Sequence, residues 1–151
     1  MHNLHGIISL ILFKVAVLAA LAYLFLTSIS AGLVYLMLIG IASLSVLYAY
    51  CAKCQARAKC EARDHRCSHV FPGKATRFLP TRKQGPYSPA DILVTGGSLA
   101  SIVIFPQYWL WQNKTVLLTF WGLSVIAVGQ ILLRVCPTCR NHKCVMYRKG
   151  G

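Results

Sequence analysis

Four long apolar runs dominate the chain, separated by two short polar turns and one long basic stretch. The first run spans Ile7 to Leu26, broken by Lys14; the second spans Ala31 to Tyr50. The third runs from Asp91 to Trp111 and the fourth from Val116 to Val135. Each is close to the ~20 helical residues needed to cross the hydrocarbon of a bilayer. The pattern predicts an all-α integral membrane protein of four transmembrane helices, arranged as two hairpins in tandem repeat. A polar, cysteine-rich segment follows each hairpin. The expected units are hairpin one (1–50), a basic loop (51–90), hairpin two (91–135) and a tail (136–151).

Local signals sharpen these elements. Ser88-Pro89-Ala90-Asp91 reads as a helix start, with serine as N-cap, proline at the first helical position and an acid at N3. Pro72, Pro80, Pro86 and Pro89 exclude a continuous helix in the second half of the basic loop, which is expected to lie irregularly on the membrane surface. Gly32, Gly40, Ser43 and Ser45 in the second run permit close helix contact. Gly96, Gly97, Ala100 and Ser101 form two small-x3-small pairs, the expected packing seam of the third run. Pro106 should kink or loosen the end of that run. Tyr108, Trp109, Trp111 and Trp121 read as an aromatic belt at the water interface. Asn113-Lys114-Thr115 has the form of a glycosylation acceptor, a short and weak pattern. A rival reading of the first run makes residues 15–26 the apolar core of a signal peptide, with Ser28-Ile29-Ser30 preceding cleavage before Ala31.

Charge adds sidedness. The chain carries 16 Lys and Arg against three acids, Glu61, Asp64 and Asp91, for a net charge of +13. Nine of the bases fall in residues 51–90 and five from Arg134 onward, whereas the opposite side has Lys114 alone. The positive-inside rule then puts both termini and both cysteine-rich segments in the cytoplasm, the expected setting being a bacterial or archaeal cell membrane. A basic excess of this kind can also mark nucleic-acid binding. Here the charge is confined to the segments between and after the apolar runs, and base-stacking aromatics are sparse among it, so no nucleic-acid partner is expected. Anionic lipid headgroups and a membrane or cytoplasmic protein are the expected partners of the basic face. Lys14 is costly inside a span, but two turns from the cytoplasmic end it can snorkel to the interface.

The candidate chemistry lies in the seven cysteines. Cys51-Ala-Lys-Cys54 leads on to Cys60, and Cys136-Pro-Thr-Cys139 leads on to Cys144. A C-x2-C turn presents two thiolates to one ion, so two such hooks supply the four sulfurs of a tetrahedral zinc site. Cys51, Cys54, Cys136 and Cys139 are the preferred ligands, with Cys60 and Cys144 next. Cys67, His65, His69 and His142 stand in reserve. The surrounding bases would offset the −2 charge that four thiolates leave on one zinc. An iron–sulfur cluster is the alternative cofactor, since each hook holds three cysteines. The spans hold no histidine, the chain has no phosphate-binding loop, and no Ser/His/Asp set or carboxylate pair is present, so the reading leans away from an enzyme.

Two limited resemblances follow from these residues. The Cys136-Pro137-Thr138-Cys139 turn resembles a rubredoxin or zinc-ribbon knuckle over four residues, without the glycine that usually follows the second cysteine. Four membrane helices with two cysteine pairs resemble the quinone-linked disulfide-forming enzymes of the DsbB and vitamin K epoxide reductase kinds. That resemblance implies thiol–disulfide chemistry with electrons passed to a quinone. Those enzymes oxidise thiols on the non-cytoplasmic face, however, whereas the charge pattern here puts every cysteine inside. The functional expectation is therefore an accessory or assembly subunit of a membrane complex with a structural zinc site. The alternative is a membrane electron-transfer or thiol oxidoreductase protein.

Overall fold

The computed structural model describes residues 2–53, 79 and 86–138. Among these residues the secondary structure is entirely helical. Helix α1 spans His2–Thr27 and α2 spans Ile29–Ala49. Helix α3 is Pro89–Ile104, α4 is a single turn at Gln107–Leu110, and α5 is Lys114–Gln130. A π-helical turn, Ile131–Val135, extends α5 to a continuous span of 22 residues. Four stretches are long and apolar enough to cross a bilayer: Leu4–Thr27, Ile29–Lys53, Pro89–Leu110 and Lys114–Val135.

The connections are locally encoded. Ser28 alone separates α1 from α2, and its Oγ accepts the Ala31 N–H at the new helix start. The turn is thus tighter than the four-residue one expected at Thr27–Ser30. The start of α3 is as read from sequence: Ser88 and Asp91 form a reciprocal capping box with proline in the first turn. Asn113 caps α5 by accepting the N–H groups of Thr115 and Val116.

Packing follows residues spaced by three, four or seven. The buried line on α1 is Gly6, Ser9, Ala16, Val17, Ala20 and Leu24; on α2 it includes Tyr35, Ala42 and Ala49. On α5 it is Phe120, Ser124 and Ala127. Most of these side chains are small, so backbones approach closely, the usual basis of helix association in lipid. Large apolar side chains such as Leu18, Leu26, Met37, Leu93, Leu118 and Leu133 face outward. That inverts the pattern of a water-soluble core and suits contact with hydrocarbon.

The helices pack as a chain of neighbours. Helix α1 packs along α5 on one side and α2 on the other, and α2 carries α3. Neighbours are antiparallel, as α2 and α3 show: Tyr35 near the start of α2 meets Ile102 near the end of α3, and Lys53 beyond α2 meets Asp91. Helices α3 and α5 each lean chiefly on a member of the first hairpin rather than on each other. The nine-residue connection Phe105–Asn113 bridges them and contains α4, whose Leu110 is fully buried.

Two packing expectations change. The seam expected at Gly96, Gly97, Ala100 and Ser101 is not the one used: an added Cβ at Gly96 or Gly97 would meet nothing within 4 Å. Instead α3 turns Asp91, Thr95, Ser98 and Ile102 inward, because Asp91 and the Ile102 carbonyl are both held by α2 or its extension. In α2 the close approach is at Gly32, where a Cβ would lie 2.6 Å from the Phe25 ring, while Gly40 is open. The Pro106 expectation holds, since α3 stops at Ile104 and the chain turns through Phe105 and Pro106 before α4. Proline has no N–H to donate to the carbonyl four residues back. The orphaned Ile102 carbonyl accepts the Tyr35 hydroxyl at 2.9 Å instead.

Candidate functional site

The first cysteine of each hook emerges from its helix in a similar way. Cys51 opens a 3-10 turn, Cys51–Lys53, directly after the Tyr50 C-cap of α2. Cys136 opens another, Cys136–Thr138, directly after the π turn that ends the fourth span. Both thiol side chains are half-buried. Because α2 and α5 both run antiparallel to α1, the two turns lie at the same end of the bundle, the end where α1 begins. Helices α2 and α5 are not packed neighbours, since α1 stands between them.

Cys54, Cys60, Cys139 and Cys144 lie outside the described residues, as do Cys67, His65, His69 and His142. Among the described residues no three His, Cys, Asp or Glu side chains gather into a metal-binding group. Two thiolates alone do not complete a tetrahedral zinc shell.

Between the α2 exit and the α3 start lies a polar joint that sequence reading missed. Lys53, inside the Cys51-Ala-Lys-Cys54 hook, forms an ion pair with Asp91 Oδ2. The same oxygen accepts the Ser88 N–H at 3.0 Å and the Ser88 hydroxyl at 2.7 Å. The side chains of Lys53 and Asp91 are only 14% and 6% exposed, so this is a largely buried charge pair rather than a solvated one. Removing one partner of such a pair costs about 3–5 kcal/mol, because the other is left uncompensated. Tyr50 and Tyr87 stack beside it with ring centroids 4.7 Å apart, and the Tyr87 hydroxyl donates to the Tyr50 carbonyl at 3.3 Å. The Lys53 charge is thus paired with Asp91. Lys53 was visible as the first base after the second run and Asp91 as the acid at N3. Their pairing depends on α2 and α3 being neighbours, which spacing does not reveal.

The far end carries the aromatic residues. Tyr108 and Trp111 are about three-quarters exposed, as a belt at a water–lipid boundary requires. Trp121 donates its indole N–H to Gln107 Oε1 at 3.0 Å, and Gln107 Nε2 donates to the Val103 carbonyl at 2.6 Å. Gln107 thereby ties the frayed end of α3 to α5. Lys14 is exposed on α1, ten residues beyond Leu4, or about 15 Å along the helix.

No protein-family model matches the chain, and no curated protein or solved structure does so either. The class that the fold defines is an all-helical chain with four helices long and apolar enough to span a bilayer, compatible with an integral multi-pass membrane protein. Its function has to be argued from its own residues.

Proposed function

We propose that this is a small polytopic membrane protein whose cytoplasmic cap is held by a thiolate metal site, with zinc in a structural role. The protein serves as an accessory or assembly subunit of a membrane complex. Its four spans put both termini on one side, the excess of Lys and Arg makes that side the cytoplasm, and the basic cap meets anionic headgroups or a protein partner. One observation carries the reading: Cys51 and Cys136 start matching turns at the same end of the bundle. That placement supports a common set of ligands drawn from Cys51, Cys54, Cys136 and Cys139, with Cys60 and Cys144 in reserve. Zinc fits the all-sulfur donor set and needs no redox partner.

Replacing both Cys51 and Cys54 by serine tests it. The double variant should lose bound metal and melt at lower temperature than the parent chain. Unchanged metal content and unchanged stability would remove this ligand set. Iron with inorganic sulfide in the parent protein would replace the zinc reading with electron transfer.

A further inference from the structure

We propose that the end of the bundle opposite the cysteine turns binds one anionic phospholipid, in a cleft built from Trp111, Lys114, Leu117 and Leu118. The inference rests on the reading that the four spans cross a bilayer, and on nothing at the cysteine hooks. These four residues line a cleft of about 220 Å³. Lys114 is the first residue of α5, and Leu117 and Leu118 follow at spacings of three and four, on the same face. One helical turn, about 5 Å, therefore separates a cation at the water boundary from an apolar floor deeper in hydrocarbon. Trp111 closes α4, and its backbone N–H donates to the Gln107 carbonyl at 2.9 Å. Leu110 beside it is fully buried, so the exposed indole stands on an anchored backbone. Charge selects the occupant. Lys114 sits at the positive end of the α5 dipole, where a second cation is disfavoured and an anion is stabilised. The first turn of α5 contains no acid, and the chain has none after Asp91, which pairs with Lys53 at the opposite end. A lipid phosphate supplies the complementary charge, and its acyl chain covers Leu117 and Leu118, which a water-soluble anion would leave bare. The Trp111 indole takes the interfacial level between them. A zwitterionic headgroup would bring its own ammonium towards Lys114, so a lipid of net negative charge is preferred.

The chain's three tryptophans, Trp109, Trp111 and Trp121, all lie on α4, its cap and the first half of α5, so their fluorescence reports on this end and not on the basic cap. The test is quenching of that fluorescence in the full-length chain, reconstituted in vesicles of phosphatidylcholine and phosphatidylglycerol in equal parts. Bromine is carried on the acyl chains of one lipid or the other. Brominated phosphatidylglycerol should quench more strongly, with a relative binding constant of about fivefold over phosphatidylcholine. Lys114→Gln should bring the two lipids to parity, and Lys114→Arg should keep the preference. Parity in the parent chain, or a preference that survives Lys114→Gln, would overturn the site and leave the membrane reading standing. Loss of the preference on adding inorganic phosphate would make the occupant a free anion and overturn the lipid assignment. Tryptophans shielded from both lipids while the chain floats with the vesicles would mean that a second copy covers the cleft, which also overturns it. A chain that does not float with the vesicles at all would remove the membrane reading and this inference together.

Discussion

At Ile102 the helical carbonyl has lost its donor because residue 106 is proline, and the Tyr35 hydroxyl reaches across from α2 to replace it. In hydrocarbon an unsatisfied carbonyl has no water to turn to, so this bond joins two helices and repairs one of them. Tyr35→Phe should destabilise the protein by about 1 kcal/mol, within the range of interhelical hydrogen bonds in membranes. In a Pro106→Ala background, where residue 106 can donate to Ile102 itself, the same change should cost less. Unfolding in mixed detergent measures both, and an equal cost in the two backgrounds would refute the repair argument. The glycines make a second comparison. Gly32→Val drives a branched side chain into the Phe25 ring and should cost about 1–3 kcal/mol. Gly97→Ala meets open space and should be neutral or slightly stabilising in the isolated protein, through helix propensity. Unfolding midpoints in the reverse order would contradict the packing described.

Helices were the most legible feature of the sequence, and their contacts the least. Run length and apolarity alone give four spans, and Ser88, Pro89 and Asp91 announce the start of α3 to the residue. The reason is physical: in lipid the backbone must satisfy itself within each helix, and a cap is a contact between residues three apart. Which face of α3 packs could not be read the same way. Gly96 and Gly97 offer a smooth face, yet Asp91 and Ile102 select another through partners 38 and 67 residues distant in the chain. The Gln107 clamp is also nonlocal, since it needs Trp121 about two turns into the following span. Gln107→Leu should remove both of its bonds while keeping bulk, loosening the α3–α5 connection. Hydrogen exchange at Trp109 to Trp111 should rise several-fold, and protection equal to the parent would show that the clamp holds nothing.

For the whole molecule, the bundle brings the exits of α2 and α5 to one end and the Lys114 turn to the other. Cys51 and Cys136 are therefore legible as candidate ligands from sequence and are brought to a common end by the fold. The Lys53–Asp91 joint beside the first of them was not legible, because charge counting treats Lys53 as one more base in a basic segment. If the cysteine end faces the cytoplasm, a membrane-impermeant thiol reagent should label Lys114→Cys in intact cells and reach the native cysteines only after permeabilisation. Labelling of the native cysteines in intact cells would reverse the orientation. The most direct test of the central claim is metal analysis with an absorbance spectrum on anaerobically purified full-length protein. The account predicts about one zinc per chain and no visible absorbance, as four thiolates around a d¹⁰ ion require. Protein that carries no metal, or that carries iron with sulfide, would contradict it.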